Sequence, residues 1–495
     1  MGILEGLAVV FMPQNIFLLV VGVVMGILIG SIPGLTSTLA ISLLLPFTFG
    51  LEPATALNML IGIYIGGAYG GAITAVLLRT PGTPGAAATI LDGYPMAQRG
   101  EAGRAIGIIT AGSFIGGMIS AGFMIFLSPS ISRFALNFSS AEYFALAVFG
   151  LTIIFSVAGK SLLKAAIAGL IGLVINTVGM DVITGSPRFT FGISALLVGF
   201  PLLPAVIGLF AISEVLRLFE GNSQKSESAL TSKIGSVLPR WADLKKLKWT
   251  FLRSGLIGSF IGALPGPGPN IAAFVSYGAA RSASKNPEEF GTGAIEGVAA
   301  PETANNAVTG GCLIPMLTLG VPGDAVTAVI LGALTIQGLQ PGPLLFRDHP
   351  DLINAIFAGF MVSTVVMAIS GLLLAMILVR ISLVSKTTLA PIIAIMALIG
   401  AYASESSMIH MQIAIIFGIG GYLLEKMGFP LAPIALAIVL GTLAENNFRL
   451  TLIRSGGDWS TFVGSPIAIV FLLIAVISLG FALRKGFKDR KKAKE

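Results

Sequence analysis

The chain alternates long apolar runs with short polar interruptions. Ala105–Leu127, Ala355–Leu378 and Ile467–Leu483 are mostly apolar and near or above the ~17 residues that carry a helix across a bilayer. Such runs recur from end to end. The pattern predicts an all-α polytopic membrane protein with about 12 or more membrane segments, helical because lipid leaves no other way to satisfy the backbone of a spanning segment.

The polar interruptions come in pairs. Gly30-Ser-Ile-Pro33-Gly34-Leu-Thr36-Ser37 returns 232 positions later as Gly262-Ala-Leu-Pro265-Gly266-Pro-Gly268-Pro269-Asn270. Gly70-Gly71…Thr80-Pro81-Gly82 returns about 241 positions on as Gly310-Gly311…Val321-Pro322-Gly323. Gly199-Phe-Pro201-Leu-Leu-Pro204 returns after 229 as Gly428-Phe-Pro430-Leu-Ala-Pro433. Three similarities in one order at nearly one offset predict a duplication. The expected units are a membrane repeat over 1–219, a basic linker over 220–250 and a second repeat over 251–460. An extra membrane helix over 461–483 and a basic tail over 484–495 follow.

Composition agrees. Hydrophobic residues make up 55% and charged residues 11% of 495, with a mean hydropathy of +0.93, against roughly 25% charged residues in soluble domains. Cys312 is the single cysteine, and the two histidines, His349 and His410, lie far apart. A disulfide framework and a transition-metal centre are therefore not expected. The first apolar stretch has no basic leader and no A-x-A end, so it reads as a retained helix.

The net charge of +7 is concentrated in two places: seven basic residues against three acids over Glu220–Arg253, and seven against two over Arg484–Glu495. Basic clusters beside spans mark the cytoplasmic side. They come with no nucleic-acid-binding motif, so no nucleic-acid partner is expected. Lys160 and Lys164 point to an inside loop in the first half, while the Ser128–Ala141 loop carries only Arg133. In the second half Arg380 and Lys386 stand at the counterpart of Arg133, and Ala403–Gln412 holds Glu405 but no Lys or Arg. That reversal predicts inverted repeats with the N-terminus outside. It also puts Arg449 and Arg454 in an outside loop, against the charge rule.

Broken helices suggest the chemistry. Proline removes an amide donor, and glycine allows the turn that restarts the helix elsewhere. The freed N–H groups attract anions, and the freed carbonyls suit a small cation. Candidate substrate-binding residues are Pro33, Gly34, Thr36, Ser37, Pro81, Gly82, Thr83, Pro265, Gly266 and Asn270. Arg79, just before Pro81, either pairs with an anionic substrate or extends to the interface. Tyr64 and Tyr69 are candidate cavity residues.

In the second half, Glu296-Gly-Val-Ala-Ala-Pro301-Glu302-Thr-Ala-Asn305-Asn306 lies between apolar helices. Pro301 reads as a first-turn residue, with Glu302 at a helix start as an ion ligand or merely a cap. Candidate ion-coupling residues, for a small cation, are Glu302, Asn305, Asn306, Thr318, Gly323 and Asp324. The Asp92–Arg104 stretch reads as a solvated turn. No enzyme motif is complete: Gly159-Lys160-Ser161 lacks the first glycine of a phosphate loop, and H-E-x-x-H is absent. A membrane enzyme or scaffold is therefore the weakest reading, after a coupled carrier and a channel or uncoupled carrier.

The chain resembles the large membrane subunit of the bacterial tripartite tricarboxylate transporters. The resemblance rests on Gly30-Ser-Ile-Pro33-Gly34-Leu-Thr36, Gly66-Gly-Ala-Tyr69-Gly70-Gly71, Pro81-Gly82-Thr83 and Asp92-Gly93-Tyr94-Pro95. It continues through Arg188-Phe-Thr-Phe191-Gly192, Gly262-Ala-Leu-Pro265-Gly266, Phe290–Ala307 with Glu302, Asn305 and Asn306, and Leu319-Gly320-Val-Pro322-Gly323. It spans roughly residues 15–465. It implies ion-coupled carboxylate uptake, citrate or a relative, across the inner membrane, with Na⁺ or H⁺ as the coupling ion. It also implies a small four-helix membrane subunit and a periplasmic solute-binding protein as partners.

Overall fold

The computed structural model describes residues 2–492 apart from 33, 158–160, 182, 221–235, 266–267, 382–385 and 404–405. The chain is an all-α polytopic membrane protein. Its first half runs through α1 (Gly2–Val10), α2 (Pro13–Gly30), α3 (Ser37–Leu44), α4 (Pro53–Leu78) and α5 (Ile90–Gln98). It continues with α6 (Ala102–Ala135), α7 (Ser140–Val157), α8 (Leu162–Asn176), α9 (Leu202–Ile207) and α10 (Ser213–Glu220). The second half comprises α11 (Trp241–Ala263), α12 (Gly268–Ala283), α13 (Ile295–Leu319), α14 (Ala325–Ile336) and α15 (Pro343–Asp348). α16 (Pro350–Ile381), α17 (Lys386–Ala403), α18 (Met408–Lys426), α19 (Ala432–Arg454) and α20 (Pro466–Lys492) complete it. A short antiparallel ladder, β1 (Gly179–Met180) on β2 (Pro187–Arg188), lies between α8 and α9.

Among the described residues, seven helices are long and apolar enough to cross a membrane, and six shorter apolar helices of 10–17 residues accompany them. Local chemistry sets several boundaries. Pro13 and Pro53 open α2 and α4, where a missing N–H costs nothing. Thr36 caps α3 by accepting from the Leu39 amide, and Asp324 closes a capping box with Thr327 at α14. Gly320, in the left-handed region, stops α13.

Two helices form the centre. Every residue of α4 from Thr55 to Leu78, and of α13 from Gly297 to Thr318, is buried. Helices covered on all sides belong to the interior of a larger bundle. Each packs backbone to backbone against the break-bearing helix of its own half. A Cβ at Gly26 would overlap the Ile63 carbonyl oxygen, and one at Gly70 that of Ile27. The same contacts recur 232 and 241 positions on: Gly258 lies on Ala304 O, and Gly311 on Ser259 O. Gly82 rests on Gly71, as Gly323 rests on Cys312. Small residues permit such close approach, and in lipid that packing is a main source of association.

Several boundaries differ from the sequence reading. α6 continues to Ala135, so Ser128 and Arg133 are helical rather than part of a loop. α11 starts at Trp241, inside the expected linker, and α20 carries the basic tail as helix to Lys492. Pro301 is not in a first turn: α13 begins at Ile295 and takes Pro301 into its interior. Positions 160, 225, 227, 233, 405, 494 and 495, which entered the charge argument, lie outside the described residues, as do the side chains of Arg380, Lys386 and residues 484–492.

Candidate functional site

Glu302, Asn305 and Asn306 sit one turn apart on α13 and are all buried, at 1% exposure or less. The Asn306 amide donates to Glu302 Oε1 at 2.8 Å and to Ser113 Oγ at 2.8 Å. Ser113, on α6, also donates to Glu302 Oε1 at 2.8 Å. On the other carboxylate oxygen, Thr89 Oγ1 and Asn305 Nδ2 each stand at 3.5 Å. Asn305 Nδ2 also reaches the Ala68 carbonyl of α4 at 3.2 Å. These hydrogen-bond partners of Glu302 are all neutral. Asn306 Oδ1 is buried with no hydrogen-bond partner. The cluster is therefore one carboxylate met by two hydroxyls and two amide N–H groups, with the Ala68 carbonyl and the unpartnered Asn306 Oδ1 close by. Its carboxylate, hydroxyl and amide oxygens are hard donors of the kind a small cation takes.

Glu302 lies well inside α13, so it is not the helix cap that the sequence allowed. The other ion-coupling candidates are elsewhere. Thr318 is 16 residues further along, about 24 Å of helix, and its hydroxyl donates back to Ile314 O at 2.7 Å. Asp324 Oδ1 caps α14 through the Thr327 amide and hydroxyl, both at 2.8 Å. Its Oδ2 accepts from Tyr64 at 2.6 Å. Gly323 packs on Cys312. Tyr64 and Tyr69 are fully buried, the latter 2.8 Å from Thr110 Oγ1. They tie helices together.

The substrate candidates also divide. Gly34 has φ +93°, a conformation open to glycine, and its α-carbon faces the Arg217–Glu214 pair of α10. Arg217 Nη2 donates to Glu214 at 2.7 Å, with Glu425 at 3.9 Å. Thr36 caps α3. Ser37 packs on Gly67 and Thr83 on Gly71, one turn apart along α4. Thr83 Oγ1 is buried without a hydrogen-bond partner. The backbone N–H of Gly82, beside the half-buried Pro81, donates a hydrogen bond to Gly71 O at 3.2 Å.

Arg79 stands apart, exposed at the left-handed end of α4, its guanidinium 5.8 Å from the Tyr94 ring centre. Pro265 is buried and Asn270 exposed; Pro33 and Gly266 lie outside the described residues.

Three contributors escaped the sequence reading. Ser113 and Thr89 are ordinary hydroxyl residues with no local signal. Arg217 lies one turn before the basic linker and looks like part of it. The Asp92–Arg104 stretch, read as a solvated turn, is largely helical, and Asp92 is fully buried.

The tripartite tricarboxylate transporter TctA family description matches residues 16–436, most of the chain and every residue of the Glu302 cluster. The chain belongs to this family. An uncharacterized 52.8 kDa protein in the TAR-I ttuC′ 3′ region of Agrobacterium vitis is 39% identical over 482 residues, 97% of this chain and 95% of its own length. A second uncharacterized protein, in the TAR-II ttuC′ 3′ region of the same organism, is 39% identical over 234 residues, covering 47% of this chain and 97% of its own. No solved structure matches significantly. As a TctA family member, the chain is a multi-pass membrane component of a tripartite transporter, a system that works with partner subunits.

Proposed function

We propose that the chain is the large permease subunit of an ion-gradient-driven carboxylate importer, coupling at Glu302. The supporting observation is a fully buried carboxylate whose hydrogen-bond partners are all neutral. An uncompensated charge inside a membrane protein is expensive, and a bound Na⁺ or proton removes that cost. Asn306 Oδ1, which has no other partner, adds a neutral ligand for Na⁺.

Substrate carboxylates would bind at the first break. The start of α3 supplies amides, Ser37 and Thr83 supply hydroxyls, and Arg217 supplies a guanidinium that matches a carboxylate's two oxygens. The recurrent packing of α2 on α4 and α11 on α13 supports two equivalent halves; inverted, they would exchange access across the membrane.

The basic linker and tail fit the cytoplasm, with the N-terminus outside an inner membrane. Arg449 and Arg454 agree with that orientation because they are engaged, Arg449 with Asp181 and Glu445, Arg454 with Ser140. A periplasmic binding protein would deliver substrate, and a small four-helix subunit would complete the complex.

The test is uptake of labelled citrate into proteoliposomes holding this chain and its partner subunits, with imposed Na⁺ or pH gradients. Gradient-dependent uptake lost in Glu302→Gln is expected. Uptake indifferent to every gradient would make the chain an uncoupled carrier or channel.

A further inference from the structure

Asp92 is a fully buried carboxylate serving a helix in the other half of the chain. Its Oδ1 accepts from the amides of Gly291, Gly293 and Ala294, at 2.9, 2.7 and 2.8 Å. Its Oδ2 accepts from the Tyr277 hydroxyl at 2.9 Å. These amides lead directly into α13, whose own N-cap, Ala294, has no side chain able to cap. Asp92 therefore caps α13 from α5, placing a negative charge at the helix's positive end. Gly297 leaves room for this: a Cβ there would overlap Asp92 Oδ2. Arg99, on the residue after α5, donates to Gly293 O at 2.7 Å, so the turn is gripped from its acceptor side too.

The same stretch of chain touches α13 at three successive levels. Gly85 lies on the Asn305 side-chain oxygen, Thr89 reaches Glu302, and Asp92 meets Gly297 and Ala294. Residues 85–92 thus run antiparallel to α13, and Asp92 is the contact with the most hydrogen bonds. The Thr89–Glu302 distance of 3.5 Å is long for a hydrogen bond, so that contact depends on how α5 is seated.

We propose that Asp92 is a positioning residue for the cation site, fixing the register of residues 85–92 on α13 and so holding Thr89 and Gly85 against Glu302 and Asn305. This rests on reading the Glu302 cluster as the coupling-cation site.

The test uses the whole complex in proteoliposomes. Apparent affinity is measured for the cation that drives wild-type uptake, Na⁺ at fixed pH or protons without Na⁺, alongside the citrate KM. Residues that orient a site from behind typically shift ion affinity about 10–100-fold. Asp92→Ala and Gly297→Ala should each weaken cation affinity at least ~10-fold and leave KM within about twofold. The double variant should be no worse than either single one, because both remove the same contact.

Asp92→Asn, which keeps an acceptor for the three amides, should recover most of the affinity and guards against loss of folding in the alanine variant. Wild-type cation affinity in a folded Asp92→Ala, or equal losses in affinity and KM across all variants, overturns the assignment. Wild-type uptake that needs no cation gradient overturns the cation-site reading itself and this inference with it.

Discussion

The Tyr64 hydroxyl donates to the Asp324 carboxylate at 2.6 Å, joining the middle of α4 to the start of α14. Tyr64 lies 241 positions before Asn305, the same offset that separates Thr83 from Asp324. Asn305 in turn stands against Gly85, just past the first-half break. Each central helix thus presents one polar side chain to the break of the opposite half. Removing the hydroxyl in Tyr64→Phe leaves a buried carboxylate oxygen short of a donor, a loss of about 1–3 kcal/mol. A lower melting temperature of the purified protein, with expression retained, is expected; an unchanged melt would show the bond to be dispensable.

The glycine contacts predict matched effects in the two halves. Gly26→Ala forces a methyl into the Ile63 carbonyl, and Gly258→Ala does the same at Ala304. Overpacking of this kind costs about 1–3 kcal/mol. Thermal unfolding in detergent should show both variants destabilised to a similar degree. A large effect at one site only would break the equivalence.

The Arg217 guanidinium lies beside Gly34, where substrate carboxylates are proposed to bind. A hydrogen bond to a charged group contributes about 1.5–3 kcal/mol, so Arg217→Gln should raise the citrate KM about 10–100-fold. Cation affinity should be unaffected, because Glu302 belongs to a separate cluster. Initial-rate kinetics on proteoliposomes decide this, and an unchanged KM removes Arg217 from the substrate site.

Asp181 is held below the usual carboxylate range, chiefly by its hydrogen bond from Arg449, with the amides of Thr184 and Ile183 adding to the effect. A carboxylate with a depressed folded-state pKa stabilises the fold above its unfolded value, about 3.9, and that contribution fades as the pH falls through the folded value. Asp181→Asn should therefore lower the melting temperature at neutral pH, and its difference from wild type should shrink below about pH 4. A difference that stays constant down to acid pH would mean the pair contributes nothing through charge.

Much of this arrangement could be read in advance. The breaks at Gly34 and Gly82 and the polar string Glu302–Asn306 follow from local chemistry and spacing. Residue type and order alone carry those signals. The reading failed at Asp92, because a carboxylate between Leu91 and Gly93 carries the same local signature whether water or three amides satisfy it. It failed at Pro301 because a proline that suits a first turn can also sit inside a helix whose neighbours enclose it. It joined Thr318 and Asp324 to Glu302 because they are near in sequence, although Thr318 lies 16 residues further along α13 and Asp324 caps α14 and meets Tyr64.

By itself the sequence determined a helical membrane protein, the places where its helices break, and its family. Those properties depend on hydrophobic length and on the backbone limits of proline and glycine. Only the tertiary structure decided which polar groups meet: Ser113 and Thr89 at Glu302, Tyr64 at Asp324, Asp92 at the start of α13. Helices buried on every side, as α4 and α13 are, show no apolar stripe to reveal which face meets which neighbour. Contacts between residues some 190–260 positions apart are set by how those faces pack.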